Sequence, residues 1–128
     1  MSKELVARWY SRISETEKDL PLLLVDNYAY TPRMAYSEVM NGSALGAKLQ
    51  SLIEMGKFGT SFLDEQAIAK VRLQQILQSK PDKPMFATLS NKVYTPSELM
   101  QEIESGTQLG AQWLNNEISH MKSIVNVR

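Results

Sequence analysis

The sequence predicts a mostly α-helical single domain built from two similar halves, with a minor two-stranded β ribbon as its only sheet. Three observations lead there. An ungapped internal repeat recurs at an offset of 64 residues, apolar residues follow helical spacing through most of the chain, and capping residues bracket the repeated helices.

Residues 27–50 read NYAYTPRMAYSEVMNGSALGAKLQ and residues 91–114 read NKVYTPSELMQEIESGTQLGAQWL, with nine of 24 positions identical. The identities are Asn27/Asn91, Tyr30/Tyr94, Thr31/Thr95, Pro32/Pro96, Glu38/Glu102, Gly42/Gly106, Leu45/Leu109, Gly46/Gly110 and Ala47/Ala111. Self-similarity at a fixed period is the mark of a repeated structural unit. The expected plan is helix, short extended run, capped helix, helix, written twice, with residues 1–62 as the first copy and 63–128 as the second.

Taken in chain order, Lys3–Lys18 reads as one amphipathic helix with Leu5, Val6, Trp9 and Ile13 on a single face. Pro21 ends it, and Leu22–Val25 follows as a short apolar run suited to an extended segment. Thr31 is an expected N-cap and Pro32 suits the first helical turn, while Gly42 supplies the left-handed residue that stops the helix. Ser43 then caps a second helix carrying Leu45, Leu49, Leu52 and Ile53. Gly46 sits inside that helix, where glycine costs about 1 kcal/mol relative to alanine, so close approach of another backbone is expected there.

Gly56–Thr60 reads as a flexible connector rather than a phosphate loop, since the G-x-x-x-x-G-K-[ST] spacing is missing. Asp64–Gln78 is the second amphipathic helix, with acidic residues at its N-terminus. Pro81 and Pro84 precede a second apolar run, Met85–Leu89, which the first run is expected to meet in a ribbon between the copies. The capped unit then recurs as Tyr94, Thr95, Pro96, Gly106 and Gly110, leading into Leu109, Trp113 and Ile118.

Composition narrows function. With 128 residues, 43% apolar and 22% charged, the chain has ordinary globular proportions. It has no cysteine, which excludes disulfides and thiolate chemistry. Seven basic and seven acidic residues fall in each half, giving no basic excess for phosphate counterion displacement. Nucleic acid is therefore a disfavoured partner. The start, Met1-Ser2-Lys3-Glu4-Leu5, has no secretory pattern, and no apolar stretch approaches bilayer length, so a cytoplasmic protein without membrane contact is expected.

The catalytic inventory is thin. His120 is the one histidine, and Glu117-Ile118-Ser119-His120 supplies one Glu-x-x-His pair where a di-iron bundle needs two. Glu98 and Glu102 do not complete the set. No catalytic residue, metal or cofactor is expected, and these four residues read as a solvated helix face. The expected function is non-catalytic: an adaptor, accessory subunit or structural component binding another protein or itself. Tyr, Trp and Met are enriched at interface cores, which nominates Tyr10, Tyr28, Met34 and Tyr36. Tyr28 and Tyr36 stand out because Lys92 and Met100 occupy the matching positions of the second copy. The alternative is a DNA-associated regulator using paired helical hairpins.

Overall fold

The computed structural model describes residues 3–59, 62–87 and 92–125. It is mostly helical, with seven helices and two small antiparallel ribbons among the described residues. The order is α1 (Lys3–Arg12), α2 (Glu15–Lys18), β1 (Leu23–Val25), β2 (Tyr28–Tyr30), α3 (Pro32–Asn41) and α4 (Ala44–Met55). There follow α5 (Phe62–Gln78), β3 (Phe86–Ala87), β4 (Val93–Tyr94), α6 (Pro96–Ser105) and α7 (Gln108–Val125).

The expected single helix over Lys3–Lys18 is broken at Ser14, which is extended at φ −67°, ψ 156°. The apolar stripe of Val6, Trp9 and Ile13 is buried and ends there. Ser14–Asp19 carries no apolar residue to hold a continued helix against the core, so the chain turns and starts the short α2.

The strands also correct an expectation. Leu22–Val25 does not meet Met85–Leu89 across the two halves. β1 pairs instead with β2 (Leu23↔Tyr30, Leu24↔Ala29, Val25↔Tyr28), and β3 with β4 (Phe86↔Tyr94, Ala87↔Val93). Residues 88 and 89 of the second run lie outside the described residues. Local pairing wins because the loop to be closed is short. In the first ribbon Asp26 and Asn27 also adopt positive φ (52° and 68°), the conformation a two-residue hairpin turn demands. Six residues separate Leu23 from Tyr30 and seven separate Phe86 from Tyr94, so the ungapped match fades upstream of Asn27 and Asn91.

The capped units have the expected local chemistry. Thr31 Oγ1 accepts from the Met34 N–H at 3.1 Å, and Thr95 Oγ1 from the Glu98 N–H at 3.2 Å. The Glu98 carboxylate accepts in turn from the Thr95 N–H at 2.9 Å, closing a capping box. Gly42 and Gly106 end their helices at φ 70°. Ser43 and Thr107 then cap α4 and α7, accepting from the N–H groups of Gly46 (2.9 Å) and Gly110 (3.1 Å). Thr31→Ala and Thr95→Ala should each lower stability by about 1 kcal/mol, read by chemical denaturation. No loss in either variant would show that these side chains do not hold the helix starts.

The matching glutamates also have a role. Glu38 accepts from the Ser43 hydroxyl at 2.7 Å and Glu102 from the Thr107 hydroxyl at 2.8 Å, each tying the end of one helix to the start of the next. The close approach at Gly46 and Gly110 lies inside each unit, against the preceding helix: a Cβ there would overlap the Glu38 or Glu102 carbonyl.

Two apolar clusters form the interior. The larger draws on Val6, Trp9, Leu22, Leu49 and Phe58, and takes Ile68, Ala69, Ile118 and Met121 from α5 and α7. The smaller gathers Leu73, Leu77, Tyr94, Leu99 and Ile103. Leu114 packs against both, so α5 and α7 join the halves. No helix among the described residues is long and apolar enough to cross a membrane.

Candidate functional site

The residues nominated from sequence fall in separate places on the first half. Tyr10 on α1 and Tyr36 on α3 stack, ring centroids 4.3 Å apart and planes 12° from parallel. Lys18 Nζ sits 4.4 Å over the Tyr10 ring and Arg33 donates to the Tyr10 hydroxyl at 3.2 Å. Both rings are half-buried and largely taken up by one another. Arg33 also donates to Asp19 at 2.8 Å and to Glu15 at 3.4 Å, and Lys18 donates to Glu15 at 2.8 Å. The hydrogen bond from Lys18 holds the Glu15 carboxyl below its ordinary value, and the hydrogen bond from Arg33 does the same for Asp19. These pairs are solvent-exposed and locate the stack more than they stabilise the fold.

Tyr28 and Met34 remain open to a partner. Tyr28 is 69% exposed on β2, across from Val25, and Met34 is 47% exposed on the first turn of α3. Beside the first hairpin lies a cleft of about 710 Å³ between the β1–β2 turn and α4. Leu24, Val25 and Leu52 line it and Met55, 56% exposed, stands at its edge. An ion pair from Lys48 to Asp26, 3.1 Å, lies on its rim. The hairpin turn and the α4 helix thus build a depression in which Leu24, Val25, Leu52 and Met55 alternate with the polar side chains of Asp26, Asn27, Lys48 and Ser51, and Asp64 of α5 completes it.

A second constellation was not foreseen. Arg72 on α5 is fully buried, and its guanidinium spans three elements. Nε donates to Glu117 on α7 at 2.7 Å, Nη1 to the Pro21 carbonyl at 3.0 Å, and Nη2 to Glu17 on α2. The other Glu17 oxygen meets His120 Nε2 at 2.8 Å. Burial pushes the Glu17 carboxyl up, but hydrogen bonds from His120 and Arg72, with the Arg72 charge, outweigh it and hold the group below its ordinary value. Glu117 and His120 are therefore not a plain solvated face: they belong to a network organised by Arg72. The signal in the sequence was an arginine one turn after Ile68 and beside Leu73, on the apolar stripe of α5.

The remaining carboxylates have local duties. Glu98 closes a capping box and Glu102 holds Thr107. Among the described residues no group of three or more His, Asp or Glu side chains is placed to hold a metal ion. The chain matches no protein-family profile, no curated protein and no solved structure.

Proposed function

We propose that this chain is a non-catalytic cytoplasmic protein, the product of an internal duplication, that serves as an adaptor, accessory subunit or structural component by docking another protein or a second copy of itself. The observations that carry the reading are the cleft beside the first hairpin, where exposed Met55 lines the wall with Leu24, Val25 and Leu52, and Tyr28, 69% exposed on the same hairpin. Large apolar and aromatic side chains left in water around a concave apolar surface gain most from being covered by a partner. The duplication is supported by matched caps, terminating glycines and glutamate tethers at positions 64 residues apart. The divergence of the copies fits division of labour: Tyr28 stands exposed on the first hairpin, while Lys92 at the matching position of the second copy lies near the Tyr94 ring at 5.1 Å.

The test is affinity purification of the tagged chain, with mass spectrometry and light scattering, against a Tyr28→Ala, Met55→Glu double variant. The wild type should retain a stoichiometric protein partner or self-associate. The variant should fold with an unchanged circular dichroism spectrum and lose about tenfold or more in affinity, as removal of central apolar anchors does. Retention of every partner by the folded variant overturns this placement of the surface. A monomer that retains nucleic acid alone, in a salt-dependent way, moves the DNA-associated reading forward instead.

A further inference from the structure

The first ribbon leaves one edge open. Asp26 and Asn27 form a two-residue turn, so the flanking pair Val25↔Tyr28 exchanges hydrogen bonds and the next pair, Leu24↔Ala29, does not. The N–H and C=O groups of Leu24 and Ala29 therefore point away from the ribbon, on opposite sides. The β1 side is covered, since the Leu24 N–H donates to the Phe58 carbonyl at 2.7 Å. On the β2 side no described segment pairs with Ala29, which is exposed, and the sheet stops at two strands. The matching position of the second ribbon is Val93, and there Lys92 stands where the first copy has Tyr28. A lysine on an edge strand guards it against pairing with another chain. Tyr28-Ala29-Tyr30 carries neither charge nor proline, so this edge has no such guard.

We propose that β2 pairs with β2 of a second copy of this chain, antiparallel about a two-fold axis at Ala29, giving a closed dimer with a four-stranded sheet. The proposal rests on the docking reading in taking a second copy as the partner, and it moves the contact from the cleft to the strand edge. Ala29 of each copy donates to and accepts from Ala29 of the other, which uses both outward backbone groups. The same register sets Tyr28 of one copy across from Tyr30 of the other, twice, at positions where cross-strand side chains lie close. Tyr30 lines a depression of about 280 Å³ with Arg33, Met34, Ser37 and Glu38, so the incoming Tyr28 ring arrives at its mouth. Met34 is exposed there, ready to be covered, and Ser37 and Glu38 offer partners for the phenol hydroxyl. Each copy supplies one knob and one hole, as an isologous contact requires. Charge agrees: the register carries the acidic turn residue Asp26 of one copy toward the first turn of α3 in the other, where the helix dipole favours a negative group. Each tyrosine ring buries about 150–250 Å², and the whole falls short of the roughly 1,200 Å² at which stable complexes begin. The dimer is therefore weak, with a dissociation constant on the order of 100 µM.

The test is sedimentation velocity of the full chain from about 10 µM to about 1 mM. The wild type should pass from monomer to dimer over this range and stop there. Ala29→Pro removes the outward N–H at an edge position, where proline is tolerated, and Tyr28→Lys places on this edge the guard that Lys92 gives the other. Both should keep the circular dichroism spectrum and weaken the dimer by about tenfold or more. Should Ala29→Pro not fold, Tyr28→Lys and the Ala29 amide carry the test: in the wild type its hydrogen exchange slows as protein concentration rises. Met55→Glu alters the cleft alone and should leave the dimer unchanged. The two readings thus fail separately, because a monomeric chain that holds another protein through the cleft supports docking and overturns the edge pairing. A monomer up to about 1 mM, growth beyond the dimer, or a dimer lost in Met55→Glu overturns it as well. So does unchanged affinity in either folded edge variant, or an Ala29 amide whose exchange ignores concentration.

Discussion

Arg72→Ala should be among the most destabilising single substitutions in this protein, lowering unfolding free energy by about 3–5 kcal/mol. The reason is the carboxylates left behind more than the contacts removed. Glu17 and Glu117 meet the buried guanidinium with side chains only 18% and 11% exposed, and the Pro21 carbonyl loses its donor as well. Without Arg72, two carboxylates share a poorly hydrated site and lose the cation that both hydrogen-bond to. The check is urea denaturation of Arg72→Ala beside an Arg72→Met, Glu17→Gln, Glu117→Gln triple variant. The triple variant removes both charges along with their partner and should recover most of the loss, because a buried ion cluster replaced as a whole is often near neutral. A loss below about 1 kcal/mol in Arg72→Ala would mean the network is solvated enough to rearrange. Acid adds an independent reading. The folded Glu17 carboxyl lies below its ordinary value of 4.5, so its contribution is complete above that value and is lost as pH falls through the folded one. Stability should therefore drop more steeply on acidification in the wild type than in Glu17→Gln.

That network also marks where reading the sequence ran out. Thr31-Pro32, Gly42-Ser43 and their counterparts are legible because a cap acts on backbone groups three or four positions away, so the sequence itself brings the partners together. Gly46 and Gly110 are legible for a related reason: a glycine within an apolar helix costs propensity that only a close neighbour offsets. Arg72 shows the opposite case. Its partners lie 45 and 55 residues away, and nothing local selects Glu17 and Glu117 from the other carboxylates. The Tyr10–Tyr36 stack is hidden in the same way, since it exists only once α1 lies against α3. The hairpins fall between these cases. Asp26-Asn27 is a turn signal in plain view and the apolar runs that hold β1 and β3 read as extended, but their partners Tyr28–Tyr30 and Val93–Tyr94 are too short to show an alternation that marks them as strands. Of the four nominated partner residues, exposure separates Tyr28 and Met34 from the mutually stacked Tyr10 and Tyr36, a distinction that composition alone does not carry.

Gly46→Ala and Gly110→Ala should each destabilise the fold by about 2 kcal/mol or more, although alanine is the better helix former by about 1 kcal/mol. At both positions the added Cβ would lie on the preceding helix's carbonyl group, at Glu38 or Glu102, and within 3.0 Å of the Val39 Cα in the first unit and 2.8 Å of the Ile103 Cα in the second. Backbone atoms cannot rotate aside as a side chain can, so relief requires the two helices of the unit to part. Parting stretches the hydrogen bonds by which Ser43 and Thr107 hold those same glutamates, and it loosens Val39 and Ile103 in the two cores. Gly56→Ala separates this effect from ordinary glycine chemistry. Gly56 has φ 68° and no atom within 4 Å of its added Cβ, so its substitution should cost only the left-handed backbone penalty of about 1 kcal/mol. Denaturation midpoints of the three variants give the order directly. A Gly46→Ala protein as stable as the wild type would show that the helices of the unit slide apart at little cost, and that the tethering glutamates do not fix their spacing. A larger loss at Gly46 and Gly110 than at Gly56 assigns the recurring glycine to helix–helix contact, the feature that lets each half form its helical hairpin around a backbone-to-backbone approach.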